Sequence, residues 1–248
     1  MSFNQLKLKE IEEIFFKIYE NACELIEDAK ILYNKERYAR AYLCAHIAFE
    51  ELGKLPMLYT AAIKVYNGIK VDWKNLNKRI RDHKRKISNS YGSIISFNNI
   101  LKRYSEQIEK KSQNEYTSSM ENNKSNFVET VKEFIENNVY FNPNNFQLFL
   151  SNLDSEDLTT KYSMTKLLNE YKNGSLYADF DEEIFVKPSE KIDKETCEFG
   201  IMIALIQKKY IEMPGNHKNG LHLYEISEEL TEKIQLLIQE YKMFDNLI

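Results

Sequence analysis

Four polar residues stand inside the run AHIAFEELGKLP, residues 45–56, where most of the neighbours are apolar. His46, Glu50 and Lys54 follow one another at four-residue steps, so on a helix their side chains are within reach of each other, and Glu51 adjoins them. The set has the makings of acid–base chemistry on a phosphate. An imidazole moves protons near neutral pH, a carboxylate orients the imidazole, and an ammonium holds an anion. The same residues could equally form a salt-bridge ladder on a half-exposed face. Burying such charges without partners costs several kcal/mol, roughly 3–5 when one member of a pair is removed, so each must be met by something.

A helix carrying these residues through Ala41, Ala45, Ala48, Phe49 and Leu52 is apolar nearly all round, which predicts a central position. Gly53 and Pro56 are unfavourable in a helix interior. Pro56 also denies the carbonyl of Leu52 its donor. A kink beside buried charge predicts either a shaped cavity or a close helix crossing. Glu50 then has three candidate partners: Lys54, His46 or a basic group from another helix.

The clearest source of such a group is residues 70–86, KVDWKNLNKRIRDHKRK, with eight Lys or Arg against two Asp, a local +6 in a chain of net charge −4. One reading is a solvated face that balances the acidic helices. The other turns His83 inward to Glu50, while Arg79, Arg81, Lys84, Arg85 and Lys86 gather an anionic partner. RNA is the natural one, because phosphate contacts give affinity without sequence readout. Trp73, Tyr91 and Tyr104 lie near enough in sequence to offer stacking.

The elements that must position these residues are helices. Ile11, Ile14, Phe15, Ile18, Ala22, Leu25, Ile26 and Ala29 recur at three- and four-residue steps, predicting a long amphipathic helix from Leu6 to about Asn34. After the break NKERY a second helix runs from about Glu36 to the Asn67-Gly68 stop, forming a hairpin with the first. A third spans about Trp73 to Ile108, loosened near SNSYGS. Residues 110–126 read as a loop or disordered insert, 127–141 as a short helix, and 146–172 as two short helical pieces. The stretch NGSLYADFDEEIFVKPSE has the extended character. Further helices follow over about 191–213 and 227–243, with His217 and His222 in the turn between them. The expectation is an all-α, up-and-down bundle in one domain. Its core covers about 6–105 plus 190–246, with a loop-rich insert over about 110–188.

At 248 residues the chain can bury a core without staples. No run approaches the length of a membrane span. The charged start MSFNQLKLKEIEE lacks the apolar centre of a signal peptide. Cys23, Cys44 and Cys197, odd in number and set in apolar helical surroundings, read as reduced, buried thiols of a cytoplasmic protein. No Glu-x-x-His, His-Glu-x-x-His or Cys-x-x-Cys occurs, nor a Gly-rich phosphate loop, so no metal site and no cofactor is expected.

The run RYARAYLCAHIAFEELGK, residues 37–54, resembles the signature of AbiV-type abortive-infection proteins, a branch of the HEPN helical superfamily. RDHKRK resembles the downstream His-x-x-Lys segment of that family, and SLYADFD its Leu-Tyr-x-Asp segment. The resemblance covers about Ile11 to His83 well and Tyr171 to Leu205 loosely. It implies an antiphage protein, a homodimer, with RNA as ligand and a phage protein as trigger. Many HEPN proteins are metal-independent ribonucleases with an Arg-x(4–6)-His motif, in which the RNA 2′-hydroxyl attacks the adjacent phosphate. Here the match is Arg40 and His46, which a helix sets about 120° apart and roughly 9 Å along its axis. The alternative in the same chemistry uses His83 as proton carrier, oriented by Glu50, with Lys54 or Lys86 on the phosphate and Tyr177 and Asp179 closing the site. A non-catalytic module that binds a phage protein or blocks translation is the competing reading.

Overall fold

Helix α1, Leu8–Asn34, buries Ile11, Phe15, Ala22, Ile26 and Ala29, the members of its apolar stripe that face inward. In the computed structural model, residues 5–90, 140, 158–181, 184–212, 215 and 220–226 are described. A tight turn with Glu36 in the left-handed region (φ 57°) reverses the chain. It leads into α2, Tyr38–Leu52, nine of whose residues are buried, His46 and Glu50 among them. The alanines of α2 (Ala41, Ala45 and Ala48, all fully buried) let the neighbouring backbones approach. As its apolar circumference predicted, α2 is central, packed against α1 on one side and the helix Lys194–Glu212 on another.

The chain then departs from a single long second helix. The helix stops at Leu52, and α3, Leu55–Tyr66, starts afresh with Pro56 in its first turn, where the missing N–H costs nothing. The third helix also breaks earlier than the SNSYGS expectation. Helix α4, Trp73–Arg81, ends at Asp82, whose backbone is extended (ψ 113°). Asp82 restarts the helix by accepting the amide of Arg85 on its side chain at 3.3 Å, and the run continues over 83–90. The expected continuation to Ile108, the 110–126 insert, the helix over 127–141 apart from Tyr140, and the last helix over 227–243 lie outside the described residues.

Of the stretch 146–172 expected as two short helical pieces, residues 158–172 belong to one helix, α5, Leu158–Leu176, and the rest lies outside the described residues. Helix α5 packs on α2, with Tyr171 edge-on to Tyr42, ring centroids 5.9 Å apart. The extended stretch is a hairpin of β1, Asp179–Asp181, and β2, Ile184–Val186, antiparallel with Phe180 opposite Phe185. A short helix α6, Pro188–Lys191, leads into α7, Lys194–Glu212.

Helix α7 lies against α2 at Gly200, where a Cβ would stand 2.6 Å from the ring of Tyr42. Two matching clasps fasten it to α1. The hydroxyl of Tyr19 donates to Glu212 at 2.6 Å, and Glu212 also pairs with Lys208. The hydroxyl of Tyr33 donates to Glu198, which pairs with Lys194 at 3.9 Å. On both helices the clasps are about four turns apart, so one register sets both. Segment 220–226 straps the bundle: the Leu221 amide donates to Glu12 at 2.8 Å, and Asn67 bonds the backbone of both Tyr224 and Ile226. The three cysteines are free, with Cys197 buried and Cys23 and Cys44 only half-buried.

Candidate functional site

Gly53 is where the site is assembled. A Cβ there would stand 2.3 Å from the carbonyl oxygen of Lys86 and 2.6 Å from Ser90 Oγ, so only glycine lets the 83–90 run cross the end of α2 this closely. The crossing is fastened by Ser90 Oγ, which donates to the carbonyl of Phe49 at 2.8 Å. Of the two outcomes expected from the Gly53–Pro56 kink, the close crossing is the one present. On the 83–90 run, His83, Lys86, Ile87 and Ser90 share one helical face, and the crossing turns that face toward α2.

Glu50 is the hub. It is 3% exposed and meets four groups from three elements. Its Oε1 accepts from His46 Nε2 at 3.2 Å and from Lys172 Nζ of α5 at 2.9 Å. Its Oε2 lies 2.6 Å from His83 Nδ1 and 2.8 Å from Lys86 Nζ. Burial alone pushes this carboxyl upward, but the hydrogen bonds from His46, Lys86, Lys172 and His83 outweigh it and hold it well below the usual carboxylate range.

The two histidines play different parts. A 2.6 Å contact between a ring nitrogen and a carboxylate oxygen requires a proton between them, so Nδ1 of His83 carries it and Nε2 keeps its lone pair when the ring is neutral. The His83 side chain is 60% exposed, so the ring reaches solvent. His46 is sealed in the core. Its Nε2 is bonded to Glu50, while its Nδ1 is buried with no hydrogen-bond partner. Burial pushes its pKa down, more than the Glu50 contact raises it. A proton on Nδ1 would be an unmet buried donor, so His46 is a neutral strut for the carboxylate.

With both imidazoles neutral the cluster holds one carboxylate against two ammoniums, a net +1. It reaches solvent at His83 and, more narrowly, at Lys172, whose side chain is 18% exposed. Lys172 Nζ is also 3.3 Å from His83 Nδ1, which places a positive charge beside the exposed ring. Such an arrangement can pass a proton at Nε2 and stabilise negative charge developing next to it.

Other residues singled out from sequence lie elsewhere. Lys54 pairs with Glu51 at 2.5 Å, both partly buried, and neither joins the Glu50 cluster. Arg40 is exposed and opens into a different cleft, away from His46. Arg79 is half-buried, with its Nε lacking a hydrogen-bond partner, and burial followed by the charge of Arg85 lowers its pKa. Arg81, Lys84 and Arg85 are exposed. Tyr177 and Asp179 are exposed too, and Asp179 accepts the amide of Phe180 at 2.8 Å. Trp73 is half-buried, whereas Tyr91, Tyr104 and His217 fall outside the described residues.

Lys172 is the member that the sequence reading missed. It had one legible signal: with Leu168 and Ser175, both fully buried, it occupies the i, i+4, i+7 stripe of α5. A lysine on a buried stripe needs a counter-charge, and Glu50 supplies it.

Among the described residues no group of three or more His, Cys, Asp or Glu is arranged to hold a metal ion, and no helix is long and apolar enough to cross a membrane. Compared with known proteins, the chain matches the family model described as AbiV, of the HEPN type, over residues 10–205. No curated protein and no solved structure matches it.

Proposed function

The chain belongs to the AbiV family, and from that premise we propose that it is an antiphage, abortive-infection protein acting as a metal-independent endoribonuclease. The observation that carries the catalytic part is the contact between His83 Nδ1 and Glu50 Oε2 at 2.6 Å, with the ring otherwise exposed. In this reading His83 Nε2 accepts the proton of an RNA 2′-hydroxyl as its oxygen bonds to the adjacent phosphorus. The imidazolium then returns a proton to the 5′-oxygen as the P–O5′ bond breaks. Glu50 holds the ring and stabilises its charged form. Lys86 and His46 hold Glu50, and Lys172 offers its positive charge to the phosphorane. Arg79, Arg81, Lys84 and Arg85 supply the basic approach for RNA. The protein acts in the cytoplasm as a homodimer, responding to a phage protein. The test is expression with and without His83→Ala. Growth arrest and RNA degradation accompany the wild type, and a folded variant loses both. Undiminished RNA cleavage by the variant rules out the assignment.

The burial of Glu50, His46 and Lys86 favours a second reading, a non-catalytic module that binds a phage protein or blocks the translation machinery. There the hub only pins α5 and the 83–90 run to α2. Intact RNA in assays with purified wild type, together with a large stability loss in Glu50→Ala, is the result that selects it.

A further inference from the structure

The polar atoms that the Glu50 hub leaves over gather along one seam. Apart from Arg79 Nε, the buried side-chain atoms without a hydrogen-bond partner among the described residues all belong to Tyr42, His46 and Gln207. They are the Tyr42 hydroxyl, His46 Nδ1 and both amide atoms of Gln207, on three side chains sealed from solvent. The two tyrosine clasps run α7 antiparallel to α1, and the tight turn after α1 does the same for α2, so α2 and α7 are parallel. The contact of Tyr42 with Gly200 fixes their register. One turn further on, His46 of α2 and Ala204 of α7 come level, and Ala204, fully buried, presents only a methyl there. Gln207 stands within about 20° of Gly200 around α7, on the side turned to α2. A helical side chain leans toward its own N-terminus, so the Gln207 amide reaches back over the turn of Ala204, toward His46.

The chemistry of the three groups is complementary to water. The 3.2 Å contact of His46 Nε2 with Glu50 takes the ring proton, which leaves Nδ1 a lone-pair acceptor in need of a donor. Gln207 offers N–H donors and an acceptor oxygen, and Tyr42 a hydroxyl that does both. A buried water needs about two to four polar partners, which this set supplies. Leaving such groups bare costs more than immobilising a water between them. We propose that the α2–α7 seam is an internal water site, in which ordered water donates to His46 Nδ1 and is held by the Gln207 amide and the Tyr42 hydroxyl. The water locks the Nε2–H form of His46, because the hydrogen bond at one ring nitrogen decides where the proton of the other sits. Gln207 is thereby a positioning residue. Through the water and His46 it holds Glu50, and through Glu50 the ring of His83. The site stands whether or not His83 is catalytic.

The experiment is solution NMR on the isotope-labelled, full-length protein. In the wild type, the side-chain amide of Gln207 and the His46 ring proton between the two nitrogens show NOESY cross-peaks at the water frequency. They persist in Tyr42→Phe, which removes the hydroxyl proton that relays exchange with solvent. The nitrogen resonances of His46 show a protonated Nε2 and an Nδ1 shifted upfield by an accepted hydrogen bond. Gln207→Leu, similar in size and without polar atoms, moves Nδ1 toward the free-acceptor position, a change that a merely space-filling Gln207 does not produce. The same variant lowers the urea midpoint, whereas removing a bare buried amide raises it. Absence of the water cross-peaks in the wild type, their loss in Tyr42→Phe, or a higher midpoint in Gln207→Leu with an unmoved Nδ1 overturns the proposal. The wild-type and Tyr42→Phe spectra decide the matter if Gln207→Leu fails to fold.

Discussion

Glu50 Oε2 and His83 Nδ1 stand 2.6 Å apart although 33 residues separate them in the chain. One partner is sealed in the core and the other reaches solvent. That asymmetry makes the pair a bridge between the structural centre of the bundle and its surface, and it sets different expectations for the two residues.

For Glu50 the expectation is structural first. Glu50→Ala leaves Lys86, itself 6% exposed, without its counter-charge. The cost is about 3–5 kcal/mol in urea unfolding. Glu51→Ala breaks a partly exposed pair with Lys54 and costs below about 1 kcal/mol. Equal losses in the two variants would contradict the hub.

For His83 and Lys172 the expectation is functional. His83→Ala loses RNA cleavage with a melting temperature close to wild type, because the ring is largely exposed. Lys172→Met keeps the methylene packing of α5 and lowers cleavage by about tenfold or more, as loss of a charge-stabilising donor does. Cleavage rates with a labelled RNA, read beside thermal melts, separate chemistry from folding.

Stability falls with acid in two stages. His46 titrates in the native state below its ordinary value of 6.5, so as pH drops past 6.5 the unfolded chain takes a proton that the native chain refuses. Glu50 does the same below its ordinary 4.5, where its contribution, fully present at higher pH, is lost as pH falls toward the depressed native value. Urea unfolding between pH 7 and 3 therefore shows a declining free energy that steepens below 4.5. In Glu50→Gln the steepening is largely absent.

Gly53→Ala and Gly174→Ala have opposite effects. At Gly53 the new methyl meets the backbone carbonyl of Lys86 at 2.3 Å, which cannot swing aside. Overpacking costs about 1–3 kcal/mol, and the displaced 83–90 run carries His83 off Glu50. At Gly174 the nearest atom is Lys191 Cδ at 3.5 Å, an ordinary contact. There alanine stabilises by up to about 1 kcal/mol through its helix propensity. Denaturation midpoints decide both.

The two tyrosine clasps are independent. Tyr19→Phe and Tyr33→Phe each remove one hydrogen bond to a carboxylate of α7 and cost about 1 kcal/mol or somewhat more. Lying about 20 Å apart along α1, they add in the double variant. A double variant no less stable than either single one would show that the clasps do not act separately.

Part of this site was legible in the residues. The spacing of His46 and Glu50 placed their side chains together, and the all-round apolarity of α2 made it central. RDHKRK was readable as the source of Glu50's partner because charge buried in one place requires charge delivered from another. Other parts were not. Lys54 fits the same four-residue step from Glu50, yet α2 ends before it and it turns to Glu51, since Gly53 and Pro56 end one helix and begin another. Asp82, an ordinary acid in a basic run, breaks the third helix because its side chain caps the next turn. Arg40 and His46 match a spacing, but about 120° of helix sends one to solvent and the other inward.

The sequence by itself determined the helical character of the bundle, the central place of α2 and the need for cations around its glutamate, because these follow from periodicity and from the cost of buried charge. Which cations answer that need was decided by tertiary structure alone. Lys172 comes to Glu50 from 122 residues away. A lysine on a buried stripe reads the same whether it snorkels to water or meets a carboxylate. The docking of α5 on α2 and the crossing at Gly53 settle which, since both fix the distance between groups that no local pattern relates.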